Sequence, residues 1–308
     1  MYVWWTCNQK CTYCMEFPNM DKNWNKKVTK YEFLKQLIKY KKDWCNHVTL
    51  LWWEPFIQPV FFDALKISKK MNFTTLVTTN ATTLHLEKEA EKYLPLIDEL
   101  ILSVEAIDKD LQQKISRTNV YVRWNEVFDN INKYWKWTYF KANIVLTIDN
   151  LYELYNLVKF VHSKWMRDIA ITYPDLEGDY YWKEHLKKNV APTYTESIKE
   201  IEKINDFCNE NSINLKIVDF PFCIFSKEKV EEFVNKTDEI DYSDRIKVVD
   251  RVKENWIIYE WEIKRSEVIP RKRRIIKNCE KCKYVNLCWW PSVSYELLYW
   301  YDEIKPIL

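Results

Sequence analysis

Glycine is nearly absent from this sequence, and tryptophan is abundant. The 308 residues include one glycine, Gly178, and 16 tryptophans, whereas average usage of about 7% would give roughly twenty glycines. Loops need residues that tolerate positive φ, and tryptophan is a poor substitute for glycine there. Turn or cap residues are expected at six tryptophan positions, namely Trp44, Trp52, Trp53, Trp124, Trp289 and Trp300. We therefore hypothesise that the gene comes from a bacterium that reads UGA as glycine; the alternative is a genuinely tryptophan-rich protein.

The sequence also lacks a charge imbalance, a long apolar run and a secretion signal. Lys and Arg total 47 against 45 for Asp and Glu, a formal net charge of +2, so no strong field attracts nucleic acid or an anionic membrane. No apolar run approaches the roughly 18 residues that cross a bilayer. Residues 1–7 have neither a basic nor an apolar signal region. We expect a cytoplasmic protein without a membrane partner.

Cysteine is the residue type with the most informative distribution. Nine cysteines in a reducing compartment are expected to be thiols, ligands or catalysts rather than disulfides. Three lie within residues 7–14 and three within residues 279–288. Clustering near both ends is typical of ligand sets, whereas the isolated Cys45 and Cys208 are interpreted as ordinary buried thiols.

Strand-like and helix-like stretches alternate along the first two thirds of the chain. The predicted strands cover residues 2–5, 47–52, 73–79, 99–104, 140–147 and 168–172. The predicted helices cover residues 30–42, 60–71, 86–94, 125–134, 151–164 and 195–211, and a further strand covers 214–220. This rhythm predicts an α/β fold, a partial (β/α)6 TIM-like barrel over residues 1–215. Residues 216–308 are predicted to form a small cysteine-rich extension with a charged helix, loops and a basic stretch.

Candidate site residues, most of them polar or of a ligand type, follow the predicted strands at the edge where parallel barrels carry their function. They are Cys7, Cys11 and Cys14 after the first strand, Trp52, Trp53, Glu54 and Pro55 after the second, Asn80 after the third, Ser103 and Glu105 at the fourth, and Thr147 at the fifth. A single shared site at this edge is therefore predicted.

The spacing C-x3-C-x2-C in residues 7–14 is the sharpest signal. Three thiolates from one short loop can wrap a corner of a [4Fe–4S] cluster and leave one iron open to another ligand. The alternative is a zinc site or a set of redox thiols, although a structural zinc site requires four protein ligands. The spacing favours iron and sulfide.

These residues resemble the signature of the radical S-adenosylmethionine (SAM) superfamily. The resemblance covers about residues 1–215 and includes Tyr13 as the aromatic residue of the cysteine motif. Trp52-Trp53-Glu54-Pro55 stands where the family carries Gly-Gly-Glu-Pro, which touches the SAM amino group, and Thr79-Asn80-Ala81 stands where Thr-Asn-Gly is common. Ser103, Glu105 and Arg117 occupy places where such enzymes contact the SAM ribose and carboxylate.

The resemblance implies the chemistry. SAM would bind the open iron through its amino and carboxylate groups. A reduced cluster would then cleave SAM to methionine and a 5′-deoxyadenosyl radical that abstracts hydrogen from a substrate. An electron donor such as flavodoxin or ferredoxin is implied as a partner.

A second resemblance concerns the C-terminal cysteines. Cys279-x2-Cys282-x5-Cys288 and the residues after it resemble the SPASM and twitch extensions of radical SAM enzymes, which bind auxiliary iron–sulfur clusters. Cys223 is the candidate fourth ligand of one auxiliary cluster. A structural zinc knuckle formed by the same four cysteines is the alternative.

The substrate stays open at this point. The extension favours a peptide or protein substrate, and a small metabolite is a further possibility. The basic run of residues 271–274 is typical of a solvated loop. The alternative is that this run binds an RNA substrate. A non-enzymatic binding protein with two zinc knuckles is the alternative to any enzyme.

Overall fold

The computed structural model describes residues 6–14, 29–50, 53–135, 139–174, 190–235, 245–251, 258–264, 277–285, 288, 291, 295, 298–299 and 302–307. Six parallel strands form its main sheet in chain order, as the alternating pattern predicts. They are β1 (His47–Leu50), β2 (Thr74–Thr79), β3 (Glu99–Ser103), β4 (Tyr139–Val145), β5 (Asp168–Thr172) and β6 (Asn214–Val218). Each pairs with the next, and β1 and β6 do not pair with each other within the described residues. The sheet is thus an open, partial barrel.

Helices connect the strands and cover the sheet. They are α1 (Lys30–Lys42), α2 (Phe61–Lys70), α3 (Glu87–Tyr93), α4 (Lys109–Ser116), α5 (Trp124–Tyr134), α6 (Leu154–Ser163), α7 (Tyr194–Glu210) and α8 (Val230–Asn235). Short 3-10 turns lie at Pro55–Ile57, Leu94–Leu96, Leu151–Glu153, Phe222–Ile224 and Lys277–Lys281. The sequence pattern does not predict α4, and the strand predicted over residues 2–5 lies outside the described residues. No helix of the described chain is long and apolar enough to cross a bilayer.

The core lies between the sheet and these helices. In β2 the buried residues Thr75, Val77 and Thr79 alternate with more exposed ones, whereas three consecutive residues are buried in the middle of β5. Val77, Leu100 and Ile144 are fully buried together with helix residues such as Leu65 and Leu157. Burial of a large aliphatic side chain contributes roughly 1.5–3 kcal/mol, so this layer holds the strand ends in place.

Four helices end in the same hydrogen-bonded turn. In each, the second residue after the helix is left-handed; these residues are Trp44, Asn72, Trp165 and Ser212, with φ between 54° and 63°. After α1, for example, the amide of Trp44 donates to Lys41 and the amide of Cys45 donates to Tyr40. This is the Schellman motif, whose left-handed residue is usually glycine.

Trp124 differs from what its sequence position suggests. The composition indicates a turn or cap residue there, but Trp124 is the first residue of α5 with a side chain only 5% exposed. Its indole Nε1 donates to the Ala106 carbonyl at 2.9 Å. The expectation of a glycine-like position is therefore wrong at Trp124, because the side chain fills the core.

The C-terminal part of the chain contains an antiparallel ribbon. Strands β7 (Arg245–Arg251) and β8 (Ile258–Lys264) pair with each other, where the sequence pattern predicts a charged helix and loops. Upstream of it, β6 pairs in parallel with β5, so the predicted boundary between residues 215 and 216 falls within a strand of the main sheet. The division into a barrel and an extension stays a prediction.

Candidate cofactor site

Three cysteine thiols border one cavity at the carboxyl ends of the strands. The cavity has a volume of about 210 Å³, and Cys7, Cys11 and Cys14 all line it. Its remaining lining residues are Gln9, Tyr13, Trp53, Thr78, Thr79, Asn80 and Ser103. Segments far apart in sequence therefore meet at one site, as the strand-end argument predicts.

The cysteine loop is anchored at its start by Gln58. The Gln58 amide nitrogen donates to the Thr6 carbonyl at 2.8 Å, and the Thr6 hydroxyl donates to the Gln58 amide oxygen at 3.0 Å. The backbone N–H of Glu54 also donates to the Thr6 carbonyl. The residue before Cys7 is thus tied to the segment that follows β1.

The other side of the loop rests on the carboxyl end of α4. The amides of Lys10 and Thr12 donate to the carbonyls of Ser116 and Ile115, each at 2.8 Å. Arg117 Nε donates to the Lys10 carbonyl at 2.7 Å. These bonds satisfy carbonyls that a helix end leaves without intrahelical partners. Arg117, itself a predicted SAM contact, thus contacts the backbone of the cysteine loop and is not among the residues that line the cavity.

The Cys7 sulfur accepts hydrogen bonds from the protein. The backbone amide of Gln9 lies 3.4 Å from it, and the Asn80 side-chain amide lies 3.7 Å from it. Asn80 also donates to the Asn8 amide oxygen at 3.0 Å. Hydrogen bonds to ligand sulfurs are one of the levers that set the potential of an iron–sulfur cluster.

Glu54 is a fully buried carboxylate behind Thr79 and Asn80, two residues that line the cavity, and it does not line the cavity itself. It accepts hydrogen bonds from the Thr79 hydroxyl at 2.7 Å and from the backbone amides of Asn80 at 2.8 Å and Phe56 at 3.2 Å. Burial raises the pKa of Glu54 to about 7, although these hydrogen bonds oppose the rise. The carboxylate is thus held between β1 and β2 and is ready to ionise beside a cation.

Tyr13 and Glu105 form a second buried pair. The Tyr13 hydroxyl is hydrogen-bonded to Glu105 and interacts with Cys11. Burial raises the pKa of Glu105 to about 7 and raises that of Tyr13 well above its usual value. Glu105 Oε1 is buried without a hydrogen-bond partner in the described chain. Glu105 and Ser103 line a second cavity of about 20 Å³, which is enough space for one water molecule.

The other predicted site residues either do not line the cavity or lie outside the described residues. Thr147 forms a turn, in which its amide donates to the Asn150 side chain at 2.7 Å. Pro55 is buried at the start of a 3-10 turn. Trp52 and the basic run of residues 271–274 lie outside the described residues.

Several polar residues of the site have no role in the sequence-based prediction. Asn8 and Gln9 lie between the cysteines, and Gln58 holds Thr6 in place. Thr79, which the resemblance names without a role, holds Glu54 in place. Asn8 and Gln9 could have been suspected from their place inside the motif. Gln58 approaches Thr6 across 52 residues, which no local pattern indicates.

The C-terminal thiols meet Cys223 at the end of the sheet. Burial, together with the neighbouring Cys288, Cys279 and Cys282, raises the pKa of the Cys223 thiol to about 12. The backbone amide of Phe222 donates to the Cys288 sulfur at 3.4 Å. The structure thus brings together the four cysteines of the predicted auxiliary site, although the first, Cys223, lies 65 residues before the last, Cys288.

The donor chemistry of the first site fits an iron–sulfur cluster. Three soft thiol ligands face one cavity, and the Cys7, Cys11 and Cys14 thiols interact electrostatically with one another. Among the described residues, no three His, Cys, Asp or Glu side chains are close enough to hold a single metal ion. No disulfide joins any of the nine cysteines, all of which are described.

The cavity is small for SAM. Pockets for small molecules usually measure about 300–1,000 Å³, and this cavity of about 210 Å³ must take SAM beside the cluster. The partly buried Trp53 is one of the residues that line it. The three cysteines thus fit an iron–sulfur cluster, while the indole of Trp53 reduces the space for SAM.

Solved structures share this architecture at low sequence identity. The structure of anSMEcpe with bound AdoMet matches with a TM-score of 0.60 and 17% identity over 98% of this chain and 93% of that chain. SuiB of Streptococcus suis, bound to S-adenosylmethionine, matches with a TM-score of 0.53 and 16% identity over 70% of this chain. The chain spans less than half the length of SuiB, 45% in that structure. At these identities the similarity concerns the fold.

Sequence comparison settles the family. No curated protein matches the chain. The family described as the Radical SAM superfamily matches residues 2–161, which include the cysteine loop, Glu54, Asn80 and Glu105. This match extends over more than half of the 308 residues, and the chain therefore belongs to the radical SAM superfamily.

Proposed function

We propose that Cys7, Cys11 and Cys14 hold a [4Fe–4S] cluster and that Glu54, Asn80, Ser103 and Glu105 surround SAM bound next to it. When bound, the two groups supply reductive one-electron cleavage of SAM and hydrogen-atom abstraction from the substrate. The observation that carries the proposal is the convergence of the three thiols on one cavity. The remaining steps concern how this chain holds and orients the groups.

The protein residues have distinct tasks in this proposal. The bonds from Gln58 and from the end of α4 fix the cysteine loop so that its thiols face the cavity. Glu54 is positioned to bind the SAM ammonium, since an ionised carboxylate pairs with a cation. Asn80 donates to the Cys7 sulfur. Buried aromatic and aliphatic residues around the strand ends exclude water from the site.

Anaerobic reconstitution tests this proposal. We expect about four irons and four sulfides at the first site, and 5′-deoxyadenosine should form with dithionite and SAM. Replacing Cys7, Cys11 and Cys14 by alanine should remove those irons and abolish product formation. Cys45→Ala is the matched control, because Cys45 lies at the end of α1, away from the cavity, and should leave both unchanged. A colourless, zinc-containing protein that releases no 5′-deoxyadenosine would contradict the proposal.

We further propose that Cys223, Cys279, Cys282 and Cys288 bind one auxiliary iron–sulfur cluster. The electrostatic coupling of the four thiols supports this proposal, and soft thiolates suit such a cluster. The zinc knuckle is the competing assignment for the same ligands. Metal analysis of the Cys7, Cys11, Cys14 triple alanine variant should still find iron and sulfide, which Cys223→Ser then removes. Zinc instead of iron in the triple variant would favour the knuckle.

A peptide or protein is the substrate class that we propose. Solved structures of similar fold contain SuiB with the precursor peptide SuiA and anSMEcpe with the Kp18Cys peptide. A small metabolite is the second candidate. Incubation with peptides encoded beside the gene, followed by mass spectrometry, should reveal a modified peptide. Formation of 5′-deoxyadenosine without any change in these peptides would favour the metabolite.

A further inference from the structure

Five tryptophans have described side chains, and they fall into two groups. Trp44, Trp53 and Trp165 have left-handed backbones, with φ of 63°, 60° and 63°. Trp124 starts α5, and Trp135 follows that helix with φ of −110°. Residues other than glycine are uncommon in the left-handed region, and bulky ones are outliers there. The backbone thus separates three tryptophans from the other two.

Trp44 and Trp165 occupy the same place after their helices. Each donates its amide to the residue three positions earlier, Lys41 and His162 respectively, within a Schellman motif. Their side chains are 94% and 55% exposed. The indoles therefore bury little surface that could offset a strained backbone. The equivalent positions after α2 and α7 are Asn72 and Ser212, which are small and polar.

Trp53 combines a left-handed backbone with a place in the cofactor cavity. It lines the space beside Cys7, Cys14 and Asn80. A residue without Cβ adopts this left-handed backbone without a steric penalty. It would also enlarge the cavity, whose volume is about 210 Å³. Two independent observations, the positive φ of Trp53 and its place in the lining of the cavity, favour the same small residue.

Trp124 and Trp135 show the opposite pattern. Their side chains are 5% and 4% exposed. Each indole nitrogen donates to a backbone carbonyl, Trp124 to Ala106 at 2.9 Å and Trp135 to Ile97 at 2.7 Å. A buried indole whose N–H is hydrogen-bonded is the normal state of tryptophan. Glycine at either position would leave a large void and an unpaired carbonyl.

We propose that residues 44, 53 and 165 of the functional protein are glycine encoded by UGA, and that residues 124 and 135 are tryptophan encoded by UGG. The composition supports the same division, since the sequence has one glycine and 16 tryptophans. Position 53 matters most for function, because its glycine would open the space beside the thiols. The proposal assigns each position from its backbone and side-chain contacts.

Reading the five codons of the gene tests the proposal without any assay of activity. We expect UGA at 44, 53 and 165, and UGG at 124 and 135. Peptide mass spectrometry of the protein isolated from its own organism should find glycine at the first three positions. UGG at any of these three, or UGA at 124 or 135, would overturn the assignment. Neither result depends on whether the enzyme cleaves SAM.

Purified variants supply a second measurement. Trp44→Gly and Trp165→Gly should each raise the unfolding midpoint by about 2 °C, because a left-handed backbone no longer carries a Cβ. Trp124→Gly and Trp135→Gly, the matched controls, should lower it by roughly 10 °C. Trp53→Gly should tighten SAM binding at least tenfold, whereas Trp44→Gly leaves the affinity unchanged. Destabilisation by the first pair, to the same extent as by the controls, would contradict the proposal.

Discussion

Glu54 shows how one buried side chain links the fold to the proposed chemistry. Its carboxylate receives three hydrogen bonds from β2 and from the turn after β1, yet burial still raises its pKa to about 7. The folded protein therefore binds a proton at this carboxyl more tightly than the unfolded chain does. A nearby cation such as the SAM ammonium would favour the ionised form.

The first prediction concerns the pH dependence of SAM binding. Below a pH of about 7 the Glu54 carboxyl takes up a proton and loses its charge, so SAM affinity should decrease as the pH falls from 8 to 6. Glu54→Gln should weaken binding at pH 8 by tenfold or more, which corresponds to about 1.4 kcal/mol or more. Calorimetric titration of the reconstituted protein with SAM measures both effects.

The Glu54→Gln variant should also lose most of the pH dependence between 6 and 8. Glu89→Gln is a suitable control, since Glu89 lies on α3 outside the cavity and should retain the parent profile. An unchanged SAM affinity in Glu54→Gln would remove Glu54 from the binding site.

At the residue scale, the local sequence indicated which residues gather at the strand ends better than it indicated what holds them in place. The cysteine spacing and the strand-end positions of Glu54 and Asn80 indicated one shared site. In the structure the three cysteines and Asn80 line one cavity, and the Glu54 carboxylate is hydrogen-bonded to Asn80 behind it. The roles of Gln58 and Arg117 in holding the cysteine loop depend on approaches across 52 and 107 residues. Such approaches are set by the packed fold, and local patterns do not contain them.

Helix and strand boundaries follow from signals that lie inside each element. The structure has α1 at Lys30–Lys42 and β5 at Asp168–Thr172, the predicted bounds. Helix α1 begins with a capping box between Thr29 and Glu32, which satisfies two backbone donors locally. The sequence pattern did not predict helix α4 because its sequence, KDLQQKIS, has few apolar residues. The end of this helix is hydrogen-bonded to the cysteine loop, a contact that the local sequence does not indicate.

Asp98 connects three elements of the barrel. It accepts hydrogen bonds from Lys69 near the end of α2 at 2.6 Å and from the amide and hydroxyl of Thr75 in β2 at 2.8 and 3.0 Å. Burial alone would raise the pKa of Asp98, but the hydrogen bonds from Lys69 and Thr75 outweigh it and lower the pKa. The ionised carboxylate therefore stabilises the fold.

The second prediction is that Asp98→Asn lowers the free energy of unfolding by about 1–3 kcal/mol at pH 7. Because the folded pKa is lowered, this contribution is fully present above the unfolded value near 3.8 and is lost as the pH falls through the folded value. The difference between variant and parent should thus shrink at pH 3. Urea unfolding at both pH values provides the measurement.

Asp129→Asn is the control for this substitution. Asp129 is an exposed residue of α5, so its replacement should change the free energy of unfolding by less than about 0.5 kcal/mol. An Asp98→Asn effect that is equally small, or that grows at low pH, would contradict the role assigned to Asp98.

At the scale of the whole molecule, tyrosines attach the C-terminal residues to the barrel. Tyr194 and Tyr295 stack with ring centroids 3.9 Å apart, and the Tyr299 hydroxyl donates to the Ala191 carbonyl at 2.7 Å. The Tyr295 hydroxyl accepts from the amide of Tyr194 at 3.0 Å, and Glu303 accepts from the amide of Thr195 at 2.6 Å. Side chains from the end of the chain thus satisfy the first-turn amides of α7.

The third prediction is that Tyr295→Phe lowers the free energy of unfolding by about 1–3 kcal/mol. The aromatic ring remains stacked, but the buried amide of Tyr194 loses its acceptor. Tyr152→Phe is the control, because the Tyr152 side chain is 71% exposed and should have little effect. Urea unfolding compares the two variants, and equal stabilities would show that the hydroxyl contributes nothing.

The overall architecture was largely predictable and the C-terminal part was not. The alternation of apolar strands and amphipathic helices predicts a parallel sheet, and six parallel strands are present. The β7–β8 ribbon lies in a charged region, where pairing across the ribbon rather than an apolar run defines the strands. The tyrosine contacts join residues about 100 positions apart, so they become visible only in the folded chain.

The capping of α7 has a consequence for how the protein is made on the ribosome. Thr195 and Glu303 are 108 residues apart, so at about 5–20 residues per second the acceptor emerges roughly 5–20 s after the amide that it caps. During this interval the first turn of α7 and the aromatic surface around it are uncovered. Until Tyr295 and Glu303 arrive, water must therefore accept the hydrogen bonds of the Tyr194 and Thr195 amides, and the aromatic surface stays exposed.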